Sequence, residues 1–397
     1  MEQSNNNINL NLRKPIILIS LSSGVLTYLL TILASAKNMS AIGIGGLFSI
    51  VSLIILVLKP FVGRASDKVG RKPLLAGSMI MYCLSFITFS FATSSAVLYF
   101  ARSIQGVAAV FYSISTYGLI TDAYGNENLS EAFGSLSAYA STGVFYGFIL
   151  TSLVFSSMYF FDGWNLIFYI FAGAAFIAFT LVLKHVPETK KIAPTPEKTN
   201  KKLTGEAIKI LLINFITSAS SSMLSPIVLI YLMNKFPDNF NAISVAYLSS
   251  IVVASILGKR IGRLGDYLGK KKALVFGLIV SGLVSVFIPI TDSIIILAIL
   301  WCIQVVGSYL EGPAESSIYS RETEEASHGE LYGIYSSVGS LGAIVGPLLG
   351  GFIYEKISHG MTFYIDGFIF IIVGIISIWA IKNDNTFKKQ DDISNSL

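Results

Sequence analysis

A charged ten-residue stretch, Gly63-Arg-Ala-Ser-Asp67-Lys-Val-Gly70-Arg71-Lys72, recurs 199 residues later as Gly262-Arg-Leu-Gly-Asp266-Tyr-Leu-Gly269-Lys270-Lys271. Without a gap, the same offset carries Gln105 onto Gln304, Gly134 onto Gly333, Gly143 onto Gly342 and Gly147 onto Gly346. One register linking a charged stretch to four further identities marks a tandem repeat. Whatever the chain folds into, it must build the same unit twice.

Between the polar stretches run long apolar segments, near 15–35, 43–62, 73–93, 96–120, 131–156 and 164–184 in the first half. The second half supplies 206–233, 241–261, 273–290, 293–318, 331–354 and 363–382. Several are only about 20 residues, the length of helix that crosses hydrocarbon roughly 30 Å thick. Charged residues make up 13% of the chain, against about 25% in a soluble protein. The expectation is an all-α integral membrane protein with twelve spans in two pseudo-symmetric six-helix bundles.

Charge then orients the spans. With the N-terminus inside, twenty-four of the 28 Lys and Arg residues fall on inner segments. The exceptions are Lys37, Lys235 and Lys356 in outer loops and Arg102 within a span, an asymmetry that positive-inside insertion produces. Both termini are therefore expected in the cytoplasm of a cell with this protein in its plasma or inner membrane. The expected division is a tail 1–14, a bundle 15–184, a Pro-containing linker 185–205, a bundle 206–382 and a tail 383–397. The positive charge follows the loops, so nucleic acid is not an expected partner. No removable signal peptide is read at Met1 to Leu12. Cys83 and Cys302 sit in apolar runs as small buried thiols, three histidines form no metal cluster, and no phosphate-binding loop points to ATP. Neither an enzyme nor a cofactor-dependent protein is expected.

The architecture and its motifs resemble the major facilitator superfamily. The resemblance rests on six plus six spans, the central linker, and the Gly-x-x-x-Asp-x-x-Gly-Arg-Lys stretch after span 2 with its echo after span 8. A second family motif, Arg102-Ser-Ile-Gln105-Gly106-Val-Ala-Ala109, lies in span 4. Membership implies alternating access to a central cavity, a small or amphipathic organic solute as substrate, protons as the energy source, and a monomer in the bilayer. Proton-coupled export of a drug or metabolite is the leading expectation; a symporting importer or uniporter, and a lipid flippase, stand beside it. Many exporters of the family carry Gly-x-x-x-Gly-Pro-x-x-Gly-Gly in span 5. Here span 5 keeps only Gly143 and Gly147, and the complete form, with Gly342, Gly346, Pro347, Gly350 and Gly351, sits in span 11. That displacement removes the motif as evidence for direction, although small residues there still favour close helix packing.

The resemblance implies a gate from Gly63, Asp67, Gly70, Arg71 and Asp122, with Asp266 as the second-half echo. Asp67 would face a helix N-terminus, and Arg71 would pair with Asp122; solvated basic-turn charges are the plainer reading. Arg102 and Gln105 are candidates for coupling, or Arg102 snorkels to the outer interface. Glu311 and Glu315, four residues apart on one helix face beside Gly312 and Pro313, are candidate proton or substrate sites. Glu315 has the alternative of reaching the inner interface. Thr27, Tyr112, Tyr139, Asn214 and Gln304 are substrate-binding candidates, set against hydroxyls that satisfy their own helix carbonyls and aromatics that merely pack.

Overall fold

A computed structural model describes residues 2–124, 129–157, 160–189, 204–237, 240–321 and 328–382. The chain divides into two compact units, Met1–Glu197 and Lys198–Leu397. The first unit holds α1 (Glu2–Ser20), α2 (Ser23–Ala36), α3 (Ala41–Val69), α4 (Arg71–Ser90), α5 (Ser95–Tyr124), α6 (Leu129–Ser157) and α7 (Phe160–His185). The second holds α8 (Gly205–Leu224), α9 (Ile227–Lys235), α10 (Phe240–Leu268), α11 (Lys270–Phe287), α12 (Ile294–Arg321), α13 (His328–Lys356) and α14 (Met361–Ala380). Among the described residues, ten helical segments are long and apolar enough to cross a membrane.

The repeat is visible in the packing. In unit 1, α5 packs on α3 and α4, α7 on α4 and α1, and α6 on α1 and α2. In unit 2, α12 packs on α10 and α11, α14 on α11 and α8, and α13 on α8. These are the same helix partnerships, shifted by one repeat.

Each unit differs from the expected six unbroken spans at its first helix. Span 1 is α1 plus α2, separated at Leu21 and Ser22, and span 7 is α8 plus α9, separated at Ser225 and Pro226. Pro226 has no N–H to continue the ladder. At the first break Ser22 Oγ donates to the Ile19 carbonyl at 3.2 Å, a local bond that competes with regular helix. Helix α1 also begins far ahead of the apolar run, at Glu2, and buries Ile8 and Leu12.

The charged stretch is mostly helix. Gly63 to Val69 form the last two turns of α3, and Arg71 already starts α4. The direction change is concentrated in Gly70, at φ 112°, with Gly269 at φ 87° in the repeat. Both values lie where a side chain is strained, which explains why glycine occupies both positions. Gly63 has no atom within 4 Å of where a Cβ would stand.

Unit 1 is closed at one end by Phe86, Phe89, Phe168 and Phe171, all fully buried, with Trp164 Nε1 donating to the Phe89 carbonyl at 2.9 Å. Unit 2 buries a core of Ile210, Leu274, Leu278, Leu310, Ile318 and Phe370 from α8, α11, α12 and α14. Glycines bring helices together at equivalent places. Gly143 and Gly147 of α6 abut the Ile17 and Leu21 carbonyls, and Gly342, Gly346 and Gly350 of α13 abut the backbone of Phe215, Ala219 and Met223. Added Cβ atoms would collide with backbone in all five cases.

Candidate functional site

The tight contact of α13 with α8 fixes one wall of a cleft in unit 2. Asn214, Thr217, Ser218, Ser221, Ser222 and Ser225 of α8 line it, facing Tyr335, Gly339 and Ala343 of α13. Helix α12 adds Glu311, Gly312 and Glu315, and the cleft measures about 470 Å³. Several hydroxyls are occupied with their own helix, as Thr217 Oγ1 donates to the Ile213 carbonyl at 2.9 Å and Ser221 Oγ to the Thr217 carbonyl at 2.7 Å. The carboxyl and amide groups of the cleft are those of Glu311, Glu315 and Asn214.

Glu315 is 4% exposed, which excludes the reading that it reaches out to an interface. Its Oε1 accepts from Tyr335 Oη at 2.9 Å, and Asn214 and Thr217 are further side-chain partners. Glu311 Oε2 accepts from Ser281 Oγ of α11 at 3.2 Å. That bond depends on close packing, because a Cβ on Gly277 of α11 would lie 2.7 Å from the Glu311 backbone nitrogen. Helix α12 runs on through Gly312 and Pro313, and Ser316 and Ser317 donate to the Pro313 carbonyl. Among the described residues no lysine or arginine pairs with either glutamate. An unpaired carboxylate charge in such surroundings is costly, so each gains from carrying a proton or meeting a cation. Asn214 Oδ1 is buried and has no hydrogen-bond donor among the described residues.

A charged knot forms at one end of unit 1. Arg71 Nη1 reaches Asp67 Oδ1 at 2.7 Å and Ser66 Oγ at 2.6 Å, while Nε meets Asp122 Oδ2 at 3.2 Å. Glu188, a residue of the expected linker that sequence reasoning passed over, accepts the backbone N–H groups of Arg71 at 2.9 Å and Lys72 at 3.1 Å. Its carboxylate fills the vacant donor positions at the start of α4, where the helix dipole also favours an anion. Thr189 Oγ1 adds a bond to Asp122 Oδ2 at 3.3 Å. Asp266 falls on α10, and its side chain lies outside the described ones.

Arg102 is 9% exposed and turned into unit 1. Its Nε donates to the Leu47 carbonyl at 2.8 Å, its Nη1 to Gln105 Oε1 at 2.6 Å, and its guanidinium lies 5.2 Å from the Phe48 ring centroid. This inward anchoring sets the snorkelling alternative aside. The repeat-mate of Arg102 is Trp301, and Gln304 Oε1, deprived of that donor, is buried without a partner among the described residues. Thr27 is half-buried on α2 and its carbonyl accepts from Thr31. Tyr112 is half-buried on α5, and Tyr139 on α6 lies 5.9 Å beneath the Arg13 guanidinium. Of the substrate-binding candidates, only Asn214 lines the cleft.

Asp366 also escaped the sequence reading. It lies on α14, 3% exposed, with Oδ1 accepting from Ser220 and Oδ2 from Ser285, each at 2.6 Å. A lone acid in the apolar run 363–382 was the available signal; without a repeated motif around it, nothing distinguished it further.

Two matches to the Major Facilitator Superfamily, at residues 16–214 and 210–395, fall on the two halves. Multidrug resistance protein 2 of Bacillus subtilis (strain 168) is 24% identical over 364 residues, covering 88% of this chain and 89% of its own. Multidrug resistance protein MdtG of Proteus mirabilis (strain HI4320) is 25% identical over 338 residues, 81% of each chain. Among solved structures, the nucleoside transporter NupG superposes with a TM-score of 0.75 at 14% identity, over 94% of this chain and 100% of the other. At that identity the structural likeness speaks for the fold. A repeated half and two family matches that together run nearly end to end establish that the chain belongs to the major facilitator superfamily of membrane transporters.

Proposed function

We propose that this transporter is a proton-coupled antiporter that exports a small organic molecule by alternating access, with both termini in the cytoplasm. The observation that carries the reading is the cleft of unit 2, where Glu311 and Glu315 face a solute-sized space without a basic partner among the described residues. Such a carboxylate can exchange a proton for an incoming solute, because burial penalises its charge until one or the other arrives. Similarity to two multidrug resistance proteins supports export. In the proposed cycle Glu311 alternates between proton and solute, and the Arg71–Asp67–Asp122 knot holds the cytoplasmic end of its unit during the change of access.

Expression in a strain lacking its own copy tests direction and cargo together. Untargeted mass spectrometry compares compounds inside and outside the cells, with and without a protonophore. A compound that leaves the cells only when the protein is present, and is retained after the gradient collapses, supports the proposal. Protein-dependent accumulation inside the cells overturns export in favour of import.

A further inference from the structure

Asp366 is not among the residues lining the cleft, yet both of its carboxylate oxygens are held. Two serine hydroxyls from different helices, Ser220 of α8 and Ser285 of α11, each donate to a separate carboxylate oxygen. Ser220 is 1% and Ser285 2% exposed, so the group is shut away from solvent. The approach of α11 to α14 that permits this is a glycine contact, since Cβ atoms on Gly282 and Gly367 would each stand 2.7 Å from the other's carbonyl oxygen. One turn along α11 from Ser285, on the same face, Ser281 donates to Glu311. Residues four apart on a helix have Cβ atoms roughly 5–6 Å from one another. Adjacent serines of α11 thus hold the two carboxylates, one at the cleft and one behind it.

We propose that Asp366 is a second proton-binding site of the transport cycle, whose affinity for its proton is set by whether Glu311 is charged. The inference rests on the reading that protons drive this transporter. The step is binding of one proton from the aqueous side to a carboxylate oxygen of Asp366, forming the neutral acid, and its later release; no other bond changes. The serines that hold these carboxylates stand one helical turn apart on α11, and like charges in an apolar interior repel strongly, so the proposal treats the two groups as titrating together.

No other described charge is placed to take over this role. On α8, Lys209 pairs with Glu206 at the helix start and also reaches the Ala380 carbonyl. On α11 the charged groups are Lys270, Lys271 and Lys272 in the first turn, and on α13 Lys356 pairs with Glu355 at the far end. Tyr335 of α13 is committed to Glu315, and on α14 itself Tyr364 lies two residues before Asp366. On α12, Glu311 is joined to the same face of α11 through Ser281, whereas Glu315, four residues on, bonds to Tyr335 of α13.

The test needs no substrate. Infrared difference spectra of the purified full-length protein in lipid nanodiscs are recorded between acid and alkaline pH, following the carboxylic acid C=O stretch. Wild type should show a component that Asp366→Asn removes, and Glu311→Gln should shift the pH midpoint of that component. Ser285→Ala, nearly isosteric, should move its frequency by deleting one donor, which identifies the band even if Asp366→Asn does not fold. A band assigned to Asp366 that stays constant across the pH range, or a midpoint unmoved by Glu311→Gln, overturns the proposal. Because no cargo is involved, failure of export in cells and failure of this titration are separate results.

Discussion

Arg71 Nε lies 3.2 Å from Asp122 Oδ2, joining the first turn of α4 to the last turn of α5. The same guanidinium holds Asp67 and Ser66, so three acceptors depend on one planar fork. Lysine keeps the charge but not the fork. Arg71→Lys should therefore lose about 1–2 kcal/mol of stability, in the range of a charged hydrogen bond, read as a lower thermal midpoint in detergent. Glu188→Ala should cost about 1 kcal/mol, as for loss of a helix cap. If Arg71→Lys unfolds at the wild-type temperature, the knot is a set of solvated surface charges.

The glycine contacts separate sharply by position. Gly346→Val places a side chain against the Ala219 carbonyl and must push α13 from α8, at a cost of about 1–3 kcal/mol or more. Gly63→Ala meets nothing within 4 Å and should raise stability by up to about 1 kcal/mol through helix propensity. Thermal unfolding of the two variants checks the contrast; equal effects would contradict the packing described.

The repeat supplies an internal control for Arg102. Gln105 Oε1 has a donor in Arg102, whereas Gln304 Oε1 has none among the described residues. Gln105→Met should therefore destabilise by about 1–3 kcal/mol, because it strands a buried donor. Gln304→Met removes an acceptor that was already unpaired and should be neutral or stabilising. Reversal of that order in a denaturation series would show that Gln304 has a role its surroundings do not reveal.

Much of the fold was legible because two signals repeat: apolar runs long enough for a bilayer, and a charged stretch whose copy fixes the register of the halves. Gly70 and Gly269 could be read as special from sequence and prove to be the positive-φ hinges. The break at Leu21 and Ser22 carried no such mark; Pro15, the residue that invites a break, sits inside α1. Glu311 and Glu315 stood out by their helical spacing, but Ser281 and Tyr335, which hold them, are distant in sequence and ordinary in type. Asp366 and Glu188 show the limit from the other side. Their partners come from other segments, so a single chain position gives no hint of them.

The most direct test of the account is transport in proteoliposomes by wild type and Glu311→Gln, using the compound identified by mass spectrometry. Wild type should move it uphill when a pH gradient is imposed, and should also exchange labelled for unlabelled solute without one. Glu311→Gln should retain exchange and lose the gradient-driven uptake at least tenfold. Undiminished uphill transport by Glu311→Gln would contradict the assignment of proton coupling to this cleft.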